Sequence, residues 1–130
     1  MNYDKKNSVP KQATEAATQE TQQNNQENNN VKEFEEIASG LAKLYAQKNT
    51  AYGDSFGDSV KKYGMISALT RISDKFNRFE NIVLHPEIDT GDERMIDTLE
   101  DLASYAIMTI MAYREMRTRE IAAFLDRVEH

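Results

Sequence analysis

The sequence predicts an all-α protein: a compact bundle of three to five helices behind a disordered N-terminal tail, assembled as a homo-oligomer. Three observations support this prediction. From about Val31 onward apolar residues recur at helical spacing, no segment alternates with the period of a strand, and the first thirty residues hold no apolar run. The chain of 130 residues fits one helical domain, residues 31–130, behind a tail of residues 1–30.

The tail is defined by its composition. Nine of the twelve residues from Gln19 to Asn30 are Gln or Asn. Such a segment buries too little apolar area to offset the entropy that it loses on ordering. We therefore expect Met1–Asn30 to be disordered, serving either as a solubilising leader or as an arm that folds on a partner.

The first half of the domain contains one long helix and one short helix. Apolar spacing predicts the long helix over Val31–Gln47. The polar stretch Lys48–Gly57 then interrupts the periodicity and is predicted to be a loop. After it, Asp58 or Ser59 is a suitable N-cap for a short helix that ends near Gly64.

The second half contains two longer helices. The first covers about Met65–Leu84 and is stopped by Pro86. The run Thr90–Glu93 has the spacing of a capping box and precedes a last helix that starts near Asp92. The C-terminal apolar residues either continue this helix or form a short one after a break near Thr118.

The last helix has a wide apolar arc, which predicts more than one neighbour. Ile96, Ile107 and Met111 flank its main apolar stripe. With only three or four helices per chain, a second subunit is a natural neighbour. We expect a homodimer or a higher even oligomer.

Composition excludes several classes of protein. The net charge is −6, of which the first thirty residues supply −1, so the domain carries −5 and is a poor match for duplex nucleic acid. No cysteine and two histidines leave no thiolate or His-rich zinc site. No apolar stretch reaches the eighteen or so residues of a membrane span. We expect no membrane association and a cytoplasmic location, the host cytoplasm if a phage encodes the protein.

A first cluster of candidate site residues lies in the predicted loop. Tyr52, Asp54 and Ser55 combine an aromatic ring with hydrogen-bonding side chains, between Gly53 and Gly57. Glycine lets a backbone approach a ligand, while Asp and Ser orient it. The alternative is a plain turn, because the same residues are common turn formers.

A second cluster lies on the middle helix. Arg71, Lys75 and Arg78 fall in one narrow row at the margin of the apolar stripe, with Asp74 beside them. Such a row suits phosphate, since Arg offers bidentate contacts and Lys a point charge. The alternative is a solvated flank in which Asp74 pairs with Arg71 or Arg78.

A third cluster is acidic and lies on the last helix. Glu93, Asp97, Glu100 and Asp101 share one face, where like charges repel. A Mg²⁺ ion held by Asp97 and Asp101 would relieve that repulsion. The alternative is a solvated acidic face, since these residues lie opposite the main apolar stripe. No Walker-type motif and no Ser/His/Asp arrangement is present.

Three ordered motifs carry a resemblance to a known family. The runs Asn49–Phe56, Arg71–Arg78 and Asp97–Ala106 resemble the nucleotide modification associated domain of phage and prophage proteins, over about Glu33–Glu115. The resemblance implies a genomic association with modified-nucleotide metabolism and a helical domain that binds a nucleotide, without a settled reaction. The positions that match are Tyr52, Asp54, Ser55, Arg71, Asp74, Lys75, Arg78, Asp97 and Asp101.

A looser likeness connects the chain to MazG-type nucleotide pyrophosphohydrolases, which are helical, oligomeric and Mg²⁺-dependent. Their paired acidic helix motifs are imitated by Glu33-x-x-Glu36 and Asp97-x-x-Glu100, the latter with its two acids in the reverse order. We thus expect a nucleotide-binding protein that acts on a nucleotide or sequesters it, with a sponge for host nucleotide signals as one version of this function. The alternatives are a Mg²⁺-dependent pyrophosphohydrolase and a non-catalytic interaction module.

Overall fold

The computed structural model describes residues 10–88 and 91–130, and for residues 91 and 92 it describes the backbone alone. Within these residues it contains four helices and no strand, which confirms the all-α class and the expected number of helices. The helices are α1 (Lys11–Tyr52), α2 (Ser55–Tyr63), α3 (Met65–Leu84) and α4 (Gly91–Glu129). The chain divides into two units, residues 1–42 and 43–130.

Helix α1 is longer at both ends than the sequence indicates. It extends back to Lys11, through residues predicted to be disordered, and forward to Tyr52, into the predicted loop. No Pro or Gly occurs from Lys11 to Ser39, and once a helix is nucleated each further residue adds a hydrogen bond at little cost. Residues 11–40 are all exposed, so this extension buries no core. The first nine residues of the predicted tail lie outside the described residues.

Helix α2 begins earlier than predicted. Its N-cap is Asp54, not Asp58 or Ser59, because the Asp54 carboxylate accepts a hydrogen bond from the backbone N–H of Gly57 at 3.0 Å. At its other end the N–H of Gly64 donates to Val60 O at 2.8 Å, and Gly64 has a positive φ of 78°. This conformation suits glycine and lets α3 begin at the next residue.

Helices α3 and α4 agree closely with the sequence. The bounds Met65–Leu84 are those predicted, and α3 ends where Pro86 prevents a further turn. Helix α4 continues past Thr118 without a break, and the Thr118 hydroxyl donates to Arg114 O within the helix. The predicted capping box begins at Thr90, which lies outside the described residues.

In the unit of residues 43–130, α3 and α4 run antiparallel and α2 packs against both. Three side chains of this unit are buried among the described residues, those of Val60, Ala68 and Thr98. The Ser67 hydroxyl ties α3 to α2 through Ser59 O at 3.2 Å. None of the described helices is both long and apolar enough to cross a membrane.

Candidate functional site

A cavity of about 220 Å³ lies where the end of α1, the start of α2 and the middle of α4 meet. We call it the first cavity. Its walls come from three stretches: Leu44–Asn49, Tyr52–Phe56 and Asp101–Met108. It therefore brings together the first cluster, on Tyr52–Phe56, and one acid of the third cluster, Asp101.

The wall formed by Tyr52–Phe56 is shaped by two glycines. Gly53 and Asp54 are the two residues between α1 and α2. Gly53 adopts a positive φ of 69°, which glycine tolerates and which allows so short a connection. A Cβ at Gly57 would overlap the Asp54 carboxylate. Because Asp54 needs this space to cap α2, its predicted role as a ligand group is combined with a structural one.

Aromatic rings form one side of the first cavity. Phe56 and Tyr105 lie with ring centroids 5.6 Å apart and planes tilted by 47°. Tyr52 is 81% exposed and stands at the rim. Rings at this separation contact each other favourably and leave faces for a planar ligand.

A carboxylate between two ammonium groups forms the polar part of the cavity. Asp101 Oδ2 lies 2.9 Å from Lys75 Nζ, and Asp101 Oδ1 lies 3.9 Å from Lys48 Nζ. The side chains of Lys75 and Asp101 are 23% and 31% exposed, whereas that of Lys48 is 59% exposed. Asp101 and Lys48 line the cavity, and Lys75 holds Asp101 from α3.

The predicted basic row does not form one site. Lys75 pairs with Asp101 across the helices, while Arg71, Asp74 and Asp97 are exposed and do not line the first cavity. Among the ion pairs that the structure describes, Asp74 pairs with neither Arg71 nor Arg78. Helical spacing places these residues in a row, but the packing of α3 on α4 decides which of them reaches a partner.

Arg78 lines a second cavity, of about 370 Å³, between the end of α3 and the start of α4. Arg94 lines the same cavity from α4, together with His85 and Ile88. The His85 imidazole also lies 3.2 Å from the Glu87 carboxylate. Arg78 therefore shares a cavity with a second guanidinium and does not line the first cavity.

Asp97 and Asp101, the predicted magnesium ligands, have different surroundings in the structure. Among the described residues, no three His, Cys, Asp or Glu side chains converge to hold a metal ion. Both carboxylate oxygens of Asp101 face a lysine ammonium, and Asp97 is exposed. Magnesium sites commonly use one or two carboxylates together with substrate phosphate. Because such a site needs no third protein ligand, magnesium at Asp97 and Asp101 stays a prediction.

Sequence reasoning missed several residues that line these cavities, among them Lys48, Tyr105 and Arg94. Tyr105 follows Asp101 by four residues, so both project from one side of α4. That spacing was a usable signal. Lys48 and Arg94 reach their cavities through contacts between helices, which no local pattern reports.

Comparison of the chain with known proteins gives no relative from which a site can be transferred. The site is therefore assigned from the geometry of its residues, and the resemblance described above stays a prediction. No family model matches the chain, and neither a curated protein nor a solved structure matches it.

Proposed function

We propose that this protein binds a nucleotide, or a small molecule derived from one, in the first cavity. The observation that carries the proposal is that Phe56 and Tyr105 line one cavity together with Lys48 and Asp101, the carboxylate that Lys75 holds. A nucleotide is the ligand that offers a planar ring, hydroxyls and an anion together. The resemblance of the three motifs to the phage and prophage nucleotide modification associated domain supports the same ligand class.

The size of the cavity limits which part of the ligand it encloses. Typical ligand pockets have volumes of about 300–1,000 Å³, and the first cavity has about 220 Å³. This volume suits a base with part of its sugar, and the remainder of the ligand then extends past Tyr52 at the rim. The base stacks on aromatic rings, a contact that every base permits.

Each charged group has a role that follows from its contacts. Lys75 holds Asp101 at 2.9 Å and fixes the carboxylate, which then accepts hydrogen bonds from ribose hydroxyls or from an exocyclic amine. Lys48 is only loosely paired, at 3.9 Å, and is the more exposed lysine. It turns to a phosphate at small cost, because exposed ion pairs contribute little.

We propose binding without turnover, in which the protein sequesters its ligand. Lys48 and Lys75 each pair with Asp101, and this arrangement of charges is suited to recognition. A pyrophosphohydrolase is the alternative that the experiment below distinguishes, since a hydrolase releases pyrophosphate with Mg²⁺ and a sequestering protein returns its ligand intact.

The test is calorimetry against nucleoside mono-, di- and triphosphates and cyclic nucleotide signals, followed by product analysis after long incubation with Mg²⁺. We expect one class to bind and to be recovered unchanged. Lys48→Ala should weaken binding by roughly ten- to a hundredfold, the usual effect of losing a charge-assisted hydrogen bond.

Lys61→Ala is the matched control, because Lys61 also pairs loosely with an acid of α4, Glu115 at 3.5 Å, but lies away from the first cavity. It should bind like the unmodified protein. The absence of binding to every ligand at millimolar concentration would overturn the proposal and favour an interaction module.

A further inference from the structure

The side of α4 that faces away from the first cavity is an exposed apolar seam. Six positions follow spacings of three and four residues, which is the a/d pattern of a coiled coil. Five of these side chains are exposed and Ala103 is half-buried. We call this set the outer seam: Ile96, Leu99, Ala103, Ala106, Ile110 and Tyr113.

We propose that a second copy of this chain covers the outer seam, with the two α4 helices antiparallel. Four large apolar side chains of the outer seam, those of Ile96, Leu99, Ile110 and Tyr113, are 40–55% exposed in the single chain. A contiguous apolar strip of this kind on a folded protein marks an interaction surface. Three buried side chains in residues 43–130 are too few for an independent core.

The small residues of the outer seam fix the register. Ala103 and Ala106 are its only small members and lie at its centre. Placed across a two-fold axis, Ala103 of one copy lies opposite Ala106 of the other, and the backbones approach closely there. The same register sets Leu99 opposite Ile110, and Ile96 opposite Tyr113, so large side chains meet on both sides of the centre.

Charge selects the antiparallel orientation. Glu100 and Arg114 flank the outer seam on one side, two full heptads apart. In the antiparallel register each Glu100 lies beside Arg114 of the second copy, which gives two symmetric ion pairs. In a parallel arrangement in register, Glu100 and Arg114 instead lie near Met95 and Thr109 of the second copy, and neither charge gains a partner. Glu100, one of the acids that repel one another within α4, is thus paired only in the antiparallel dimer.

Cysteine pairing tests the orientation, since the chain has no cysteine of its own. Positions 99 and 110 are eleven residues apart, about 16 Å along a helix, so they cannot join within one chain. In the antiparallel dimer Leu99→Cys and Ile110→Cys alone should not cross-link, whereas an oxidised mixture of the two should. Lys62→Cys, exposed on α2, is the control and should cross-link with neither.

Self-cross-linking of both single variants would overturn the antiparallel orientation. Failure of the mixture, together with a monomer in light scattering of the unmodified chain at micromolar concentration, would overturn the interface itself. Neither outcome bears on the first cavity, which lies on the other side of α4.

A charge swap tests the register without depending on a destabilised fold. Glu100→Arg or Arg114→Glu should each raise the Kd of the homodimer by about tenfold, because both symmetric pairs become repulsive. An equimolar mixture of the two variants should form heterodimers as tight as the unmodified dimer, since every pair is again attractive. Two weakened variants that do not rescue each other would overturn the register.

Discussion

The two faces of α4 are both rich in apolar residues, yet the structure uses them differently. The inner face holds the buried Thr98 and the ion-paired Asp101 and packs against α2 and α3. The outer seam leaves large side chains such as Ile110 and Tyr113 about half exposed. Packing within residues 43–130 thus covers one side of α4 and leaves the outer seam exposed, which is the surface that the proposed dimer covers.

The largest expected effect on stability comes from a variant that disrupts the buried packing of α3. Ala68 on α3 is 1% exposed, so Ala68→Leu forces added methylenes into a filled space. Overpacking of this kind costs about 1–3 kcal/mol, and each kcal/mol lowers Tm by roughly 4–8 °C in a domain of this size. Circular dichroism during heating measures the change. Ala123→Leu, at an exposed position of α4, is the matched control and should shift Tm little; equal shifts would show that Ala68 is not tightly packed.

A smaller effect sharpens the comparison between paired and unpaired acids of α4. Asp101→Asn removes the charge that Lys75 and Lys48 share and should cost about 1 kcal/mol of stability, since the pair is only partly buried. It should also weaken ligand binding in calorimetry. Asp97→Asn, one turn away and exposed, should change neither quantity. If both variants instead abolish Mg²⁺-dependent pyrophosphate release, the two acids act together and the hydrolase alternative is correct.

The smallest expected effect is that of removing residues 1–30, which belong to neither face of α4. Removal of residues 1–30 should leave Tm and the oligomeric state almost unchanged, because every described residue of that stretch, 10–30, is exposed. Light scattering and thermal unfolding measure both quantities. A fall of more than a few degrees, or dissociation, would show that this stretch stabilises the assembly.

The fold was largely predictable from sequence because helical periodicity is a local signal. Met65–Leu84 was predicted to the residue, since a glycine precedes α3 and a proline follows it closely. The boundaries that differ from the prediction are those of α1 and the start of α2. Polar composition predicted a disordered tail and a loop, whereas α1 continues without a break from Lys11 to Tyr52. Polar residues without Pro or Gly still form a helix, and Asp54 caps α2 because Gly57 leaves room for its carboxylate.

The candidate site was predictable only in part. Tyr52, Asp54, Ser55 and Asp101 do line one cavity, which the three motifs suggested. Arg78 does not line this cavity. In the packing of α3 on α4, Lys75 pairs with Asp101, and Arg78 lines the second cavity together with Arg94. Spacing along one helix fixes which residues share a face. Which residues that face contacts depends on how a second helix packs against it, and a single sequence does not show this packing.

The contact between Gly57 and Asp54 makes two positions of the chain interdependent in evolution. A side chain at position 57 is tolerated only if the carboxylate at position 54 moves or is lost, and with it the cap of α2. Substitutions at these positions are therefore expected in pairs, as epistasis, rather than one at a time. Distant relatives that conserve the first cavity should keep Asp and Gly three residues apart, a signature more selective than either residue alone.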